Sequence, residues 1–347
     1  MTTVPPRSIL VIRRDNIGDL LCTTPLFHAL RRHYPESRIV ALVNSYNAPA
    51  LQGNTDVDQV LVYEKAKHRA PDRSLWRWLC GRWRVYRTLR SGNFDLVLLA
   101  TPAFSASALR FALMTGARKI VGYQLPAGKP DWISLPPAAA GLHEVEIVFG
   151  LLRPLGIDDI PAATSLTPDT ATRQRLEAAL SLADNRQPRI GIHISARKPR
   201  QRWPIERFEE LSRRLVAGEA NHLLIFWAPG SGTNATHPGD DDKARWLATR
   251  LHGLPVSFVR TSRLEELIAG LSLCHRVICA DGGAMHIAAA LRKPLVCLFG
   301  NSDATRWHPW GVPHLVLQSA EQNVADISVE QVLAADQQLI ADTGRHS

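Results

Sequence analysis

The sequence predicts an α/β protein built from two successive Rossmann-like halves, and three observations predict it. Short apolar, β-branched runs alternate with helical stretches; the alternation lapses in a Pro-, Thr- and Asp-rich stretch between Leu155 and Pro188 and then resumes; and 347 residues suffice for two domains that each bury a core. The expected layout is a first domain over 1–160, a linker over 161–187 and a second domain over 188–347.

The first half opens with a strand at Ser8 to Arg13, a polar loop at Arg14 to Gly18 and an apolar periodic segment at Leu20 to Tyr34, the order strand, loop, helix of an α/β unit. Strands are expected at Arg38 to Val43, Gln59 to Tyr63, Asp95 to Leu99 and Lys119 to Tyr123, with helices at Leu75 to Leu89, Ser105 to Met114 and about His143 to Leu155. One helical piece, Thr170 to Ala183, falls in the linker stretch. The second half reads as strands at Arg189 to Ile194, Leu223 to Ala228, Val256 to Val259, Arg276 to Ala280, Leu295 to Phe299 and His314 to Leu317. Helices fall at Pro204 to Ala217, Asp241 to Leu251, Arg263 to Leu273, Gly283 to Leu291 and Ser328 to Ile340. Such alternation implies parallel sheets covered on both faces, whose ligands sit beyond the carboxyl ends of the strands.

The formal charge of +9 is concentrated in two islands. Lys65 to Arg90 carries nine basic residues against Asp72, and Arg197 to Arg202 carries four with no acid, which leaves the remainder at −3. Anionic ligands at two places fit this better than a uniformly basic coat. No run approaches the eighteen or so apolar residues that span a bilayer, and Met1 to Arg7 lacks the apolar core of a signal peptide, so the expected location is the cytoplasm. The five cysteines form no CxxC pair and read as buried reduced thiols, and no metal site is expected.

Two post-strand loops carry the chemistry. Arg13-Arg14-Asp15-Asn16-Ile17-Gly18-Asp19 has one glycine where a dinucleotide fold needs three, which argues against a dehydrogenase. Asp19, where a helix begins, is either a plain helix-dipole acid or a catalytic carboxylate. In the second half Asp281-Gly282-Gly283-Ala284-Met285-His286 passes from strand to helix, a geometry that offers backbone N–H groups to an anion or serves as a simple helix cap.

The stretch from RRDNIGDLLCTTP to the Tyr34-Pro35 helix end resembles the opening of glycosyltransferase family 9, the heptosyltransferases of lipopolysaccharide inner-core synthesis. DGGAMHIAAALRKPLVCLFGNSDATRWHPWG resembles the family's C-terminal signature. The resemblance implies a GT-B fold, two Rossmann-like domains facing a central cleft. It also implies metal-independent, inverting transfer of heptose from ADP-heptose to a lipopolysaccharide core acceptor, with no cofactor beyond the donor. Asp19 takes the place of the catalytic base, and Asp281, Gly282, Gly283 and His286 that of the donor diphosphate and sugar site, Gly282 standing where threonine is often found. Trp203-Pro204 matches a Lys-x-Trp-Pro segment in which Gln201 replaces the lysine, so the diphosphate's counter-charge falls to Lys198, Arg200 or Arg202, beside Ser195. Asp240 is the match for the ribose carboxylate, after Trp227, and Ser262 lies in the adenosine stretch. Ala100-Thr101-Pro102 departs from the family's usual Asp-x-x-Gly turn.

The first island, LWRWLCGRWRVYRTLR, interleaves aromatics and arginines at helical spacing. It suits an anionic membrane surface or nucleic acid, or else its tryptophans pack on the sheet. The resemblance favours acceptor phosphates and the inner leaflet, with Arg77, Arg84 and Arg87 as candidates, and no nucleic acid, making the protein peripheral on the inner membrane. A family member using another nucleotide sugar or acceptor, a nucleotide-sugar epimerase and a non-enzymatic nucleotide- or RNA-binding protein remain as alternatives.

Overall fold

The computed structural model describes residues 5–64, 75–127, 129–182, 187–218, 221–232 and 239–344. It divides into two compact units, Met1–Ser165 and Leu166–Ser347.

The first unit is a parallel sheet of β1 (Ser8–Ile12), β2 (Arg38–Asn44), β3 (Gln59–Tyr63), β4 (Leu96–Leu99), β5 (Lys119–Tyr123) and β6 (Trp132–Leu135), in the order β3-β2-β1-β4-β5-β6. β1 is central: Ile9 pairs with Ile39 on one side and Leu96 on the other, and all five of its residues are buried, as a strand covered on both faces requires. Its helices are α1 (Ile17–Leu21), α2 (Thr24–His33), α3 (Leu75–Ser91), α4 (Ala106–Met114) and α5 (Glu144–Phe149). One face of the sheet packs Leu10, Ile12, Val40 and Val97 with Val85 and Leu89 of α3 and with Phe111 and Ala112 of α4.

Three local differences from expectation have physical causes. The single helix expected at Leu20 to Tyr34 is broken between α1 and α2. There the Thr23 hydroxyl donates to the Asp19 carbonyl at 2.9 Å, the Thr24 hydroxyl to Leu21 at 2.8 Å, and Pro25 has no N–H to continue the ladder. The helix expected to reach Leu155 becomes a 3₁₀ segment at Gly150–Leu155 with Pro154 inside, stopped by Gly156 at φ +78°. β6, absent from the expectation, is an edge strand in a proline-rich stretch that reads as loop.

The second unit repeats the scheme. Its strands are β7 (Arg189–His193), β8 (His222–Trp227), β9 (Val256–Arg260), β10 (Arg276–Ala280), β11 (Leu295–Phe299) and β12 (His314–Gln318), parallel and ordered β12-β11-β10-β7-β8-β9. Read from the other edge this is the first sheet's order again, with the reversal between β7 and β10 as it is between β1 and β4. Its helices are α6 (Thr170–Ala179), α7 (Ile205–Gly218), α8 (Asp241–Arg250), α9 (Leu264–Ser272), α10 (Gly283–Ala290), α11 (Ala304–Trp307) and α12 (Val329–Gly344). α12 is fixed to β10 by a buried bidentate pair, Arg276 to Asp336 at 2.7 and 2.9 Å. Residues 166–182, expected as linker, belong to this unit: α6 packs on α9 and the Leu166 N–H bonds the Ala290 carbonyl at 3.1 Å.

Cys22, Cys274, Cys279 and Cys297 are buried, but Cys80, expected to be, is exposed on α3. Among the described residues no helix is long and apolar enough to cross a membrane, and no cluster of three or more His, Cys, Asp or Glu has the geometry of a metal site.

Candidate active site

The apolar run of β1 carries Arg13 out of the sheet's carboxyl end and into the unit's interior, 1% exposed. A guanidinium buried this deeply needs anionic partners. Its Nη2 donates to Asp19 Oδ1 at 2.9 Å and to Glu144 Oε1 at 2.6 Å, its Nη1 donates to the Ala100 carbonyl, and Asp15 lies 3.6 Å from Nε. Burial opposes the charge, yet Asp19, Glu144 and Asp15 outweigh it and hold Arg13 above its usual pKa. Asp19 is also gripped from its own loop: the Asn16 backbone N–H donates to Oδ2 at 2.8 Å and the Asn16 amide at 2.9 Å. The result is a carboxylate of fixed orientation that keeps a small solvent-accessible face at the switch point between β1 and β4. Burial, with Glu144 adding to it, pushes the neighbouring Cys22 thiol far up, so it is no nucleophile.

In the second unit the turn after β10 lies at the matching switch point. Asp281 accepts from Gln201 Nε2 at 2.7 Å, and the same amide nitrogen reaches Ser302 Oγ at 3.1 Å. Gln201, in the lysine position, is thus a neutral bridge between the Asp281 turn and the loop after β11. That closeness requires Gly300, where a Cβ would stand 2.4 Å from the Arg200 carbonyl oxygen. Gly282 adopts φ +156° and ψ −167°, a region reserved for glycine, so a threonine would be strained in this turn. Gly283 starts α10, and the buried His286 ring packs edge-on against Trp307 with centroids 6.0 Å apart.

Among the island's cations, Arg200 donates to the Glu321 carbonyl at 3.0 Å, and Arg202 folds back onto the Ala196 and Arg197 carbonyls, both at 3.2 Å. Lys198 is exposed and its ammonium makes no hydrogen bond among the described residues. Ser195 uses its hydroxyl oxygen to accept the Ala228 N–H at 2.9 Å, tying the end of β7 to that of β8. Asp240 is buried beside this junction, paired with Lys243 at 2.6 Å. Its neighbour Asp241 holds Trp227 Nε1 and the Gly230 N–H at 2.8 and 2.9 Å, and these bonds lower its pKa. Ser262 is exposed at the start of α9, its hydroxyl 3.1 Å from Arg260 Nη1.

On α3, Val85 and Leu89 face the sheet while Trp76 and Trp83 are 77% and 62% exposed. The packing of tryptophans on the sheet, one of the sequence alternatives, does not hold for these two. Arg84 and Arg87 are exposed, with the Arg87 guanidinium 5.3 Å from the Trp83 ring centre. Trp83, Tyr86, Arg87, Arg90 and Met114 line an open cavity of about 630 Å³. The Arg77 side chain and residues 65–74, hence Lys65, Lys67, Arg69 and Arg73 of the first island, lie outside the described residues.

Sequence reasoning did not single out Arg13 or Glu144, whose contact spans 131 positions, nor the aromatic-caged Arg14 and Arg82. Only the basic and aromatic composition of the first island pointed towards Arg82.

The family model described as glycosyltransferase family 9 (heptosyltransferase) matches residues 82–335. Lipopolysaccharide heptosyltransferase 3 of Escherichia coli is 26% identical over 299 residues, which cover 84% of this chain and 83% of that protein. Among solved structures, a glycosyl transferase family 9 protein from Veillonella parvula superimposes with a TM-score of 0.80 at 21% identity, over 97% of each chain. The E. coli ADP-heptose lps heptosyltransferase II does so with 0.73 at 21%, over 97% of this chain and 99% of that one. These structural likenesses extend over both units and assign the fold to the GT-B class.

Proposed function

Since this chain belongs to glycosyltransferase family 9 and is therefore a glycosyltransferase, we propose that it transfers heptose from ADP-heptose to a lipopolysaccharide inner-core acceptor with inversion. The observation that carries the reading is the placement of the two signature loops, each leaving its sheet where the strand order reverses. In the proposed reaction Asp19 takes the proton of the acceptor hydroxyl. The hydroxyl oxygen attacks the anomeric carbon opposite the nucleotide, and the bond to ADP breaks with its electron pair leaving on the diphosphate. The Asp281 to His286 turn, Ser195, Lys198 and Arg202 bind the donor, with Asp240 and Ser262 on the nucleoside. Preorganised N–H donors and cations supply the counter-charge, so neither metal nor cofactor enters the scheme. α3, with Arg77, Arg84 and Arg87, meets acceptor phosphates at the cytoplasmic face of the inner membrane.

Asp19→Ala tests the reading: transfer from ADP-heptose should fall by about a hundredfold or more, the range of a lost general base, while the donor still raises the melting temperature and wild-type transfer survives EDTA. Undiminished transfer by Asp19→Ala would remove the base assignment. A thermal shift with UDP- or GDP-sugars alone would replace the donor. Sugar-nucleotide conversion without acceptor would favour an epimerase, and salt-sensitive RNA binding with no sugar-nucleotide shift a binding protein.

A further inference from the structure

Next to the buried Arg13, Arg14 turns the other way. Its guanidinium carbon lies 4.3 Å from the Phe111 ring centre and 4.8 Å from that of Tyr63. Tyr63 is shared with a second arginine, Arg82, at 4.9 Å, which also stands 4.7 Å from Trp78 and 5.7 Å from Tyr86 and donates to the Tyr86 hydroxyl at 2.8 Å. Two guanidiniums thus share one aromatic cage. Three donors in it, Arg14 Nε, Arg14 Nη1 and Trp78 Nε1, are buried with no hydrogen-bond partner among the described residues. Buried polar groups are ordinarily satisfied, and donors left over in one place call for an acceptor. Burial lowers the Arg14 pKa against the pull of Tyr63, Asp15 and Tyr86. Aromatic faces hold the two cations in position without neutralising them. Both arginines and Tyr63 remain partly solvent-exposed, so the cage is open to a ligand.

We propose that Arg14 and Arg82, presented by Tyr63, Phe111, Trp78 and Tyr86, form an oxyanion subsite for a carboxylate or phosphate group of the acceptor, with Arg14 supplied by the loop that carries Asp19. A planar guanidinium fork suits either anion, and an anion fixed there would orient the acceptor for the base. The acceptor part of this inference rests on the transferase reading above; the anion site itself does not.

The test therefore has two arms. In the first, thermal unfolding is followed with inorganic phosphate and, separately, with glucuronate as a sugar acid, in wild type, Arg14→Met and Arg82→Met. Stabilisation of the wild type by one of them, lost in both variants, is expected, and the anion that works identifies the source. In the second, Arg14→Met should raise the acceptor KM about tenfold or more while kcat at saturating acceptor and the ADP-heptose KM stay within about twofold, the pattern of a charge-assisted contact to one substrate. The site is overturned if neither anion stabilises the wild type, or if the variants respond as the wild type does. A raised donor KM in place of the acceptor KM overturns the acceptor assignment. If wild type transfers no sugar, the transferase reading fails and the first arm still decides the anion site. Should Arg14→Met not fold, Arg14→Lys, which keeps the charge and loses the fork, takes its place with the same expected losses.

Discussion

Glu144 is fully buried, and its carboxylate lies 2.6 Å from the guanidinium that also holds Asp19. Removing Glu144 takes one hydrogen-bonded partner from the buried Arg13, which keeps Asp19 and Asp15, at a cost of about 1 to 3 kcal/mol. Glu144→Ala should therefore lower stability by about that much, and Glu144→Gln less, because an amide oxygen still accepts from Arg13. If the role of Glu144 is to position Asp19 through Arg13, both variants lower kcat and leave the donor KM unchanged. In the Asp19→Ala background Glu144→Ala should add no further loss, because an effect routed through Asp19 has already been removed. Kinetics with melting curves check all of this. The sequence made Asp19 legible because Gly18-Asp19 sits where a strand gives way to a helix. It could not show Glu144, since nothing local marks one acid among the five residues His143 to Ile147 as the partner of a distant arginine. Likewise the loss of lysine at Gln201 was readable, but not that its amide would reach across 80 positions to Asp281.

Among the elements, α3 most changes its meaning between sequence and structure. The three- and four-residue spacing of Trp76, Leu79, Trp83 and Tyr86 defines a stripe but not the direction it faces, because aromatics suit both a core and an interface. The structure turns Trp76, Leu79 and Trp83 outward and buries Val85 and Leu89. An exposed tryptophan row with arginines and no acid on the helix fits the headgroup region of an anionic bilayer. Co-sedimentation with phosphatidylglycerol vesicles should weaken at least about tenfold in Trp76→Ser/Trp83→Ser, at roughly 1.4 kcal/mol per decade. Arg84→Gln/Arg87→Gln should bind less and with a flatter salt dependence; neither change should affect the donor-induced thermal shift. The strands were legible because apolar, β-branched runs have few other uses. The break between α1 and α2 and the edge strand β6 were not, because threonine back-bonding and edge pairing depend on neighbours outside the local pattern.

For the whole molecule, the repeated strand order makes each half a complete sheet with its own core, and pH acts on these cores through buried groups. Burial drives the His193 pKa down from 6.5 to about 4, against opposing pulls from Asp240 and the Ser195 backbone. The unfolded chain takes up this proton first, so the stability is complete above pH 6.5 and is lost as pH falls towards 4. After allowance for partial solvent contact, wild type should lose about 2 kcal/mol more than His193→Gln between pH 7 and pH 4, measured by urea unfolding. The division into two halves was legible in the alternation of elements. Its boundary was not, since the Pro-, Thr- and Asp-rich stretch between Leu155 and Pro188 reads as linker while the helix α6 within it docks on α9.

The central position of β1 also has a consequence for biosynthesis. Ile9 leaves the ribosome well before its partner Leu96, which follows 87 positions later. At about 5 to 20 residues per second this strand waits roughly 4 to 17 s with one edge unpaired. The central strand of the first sheet is therefore the one that waits longest for its second partner, and chaperone dependence during expression should respond to polar substitutions in β1 before those in any later strand of that sheet.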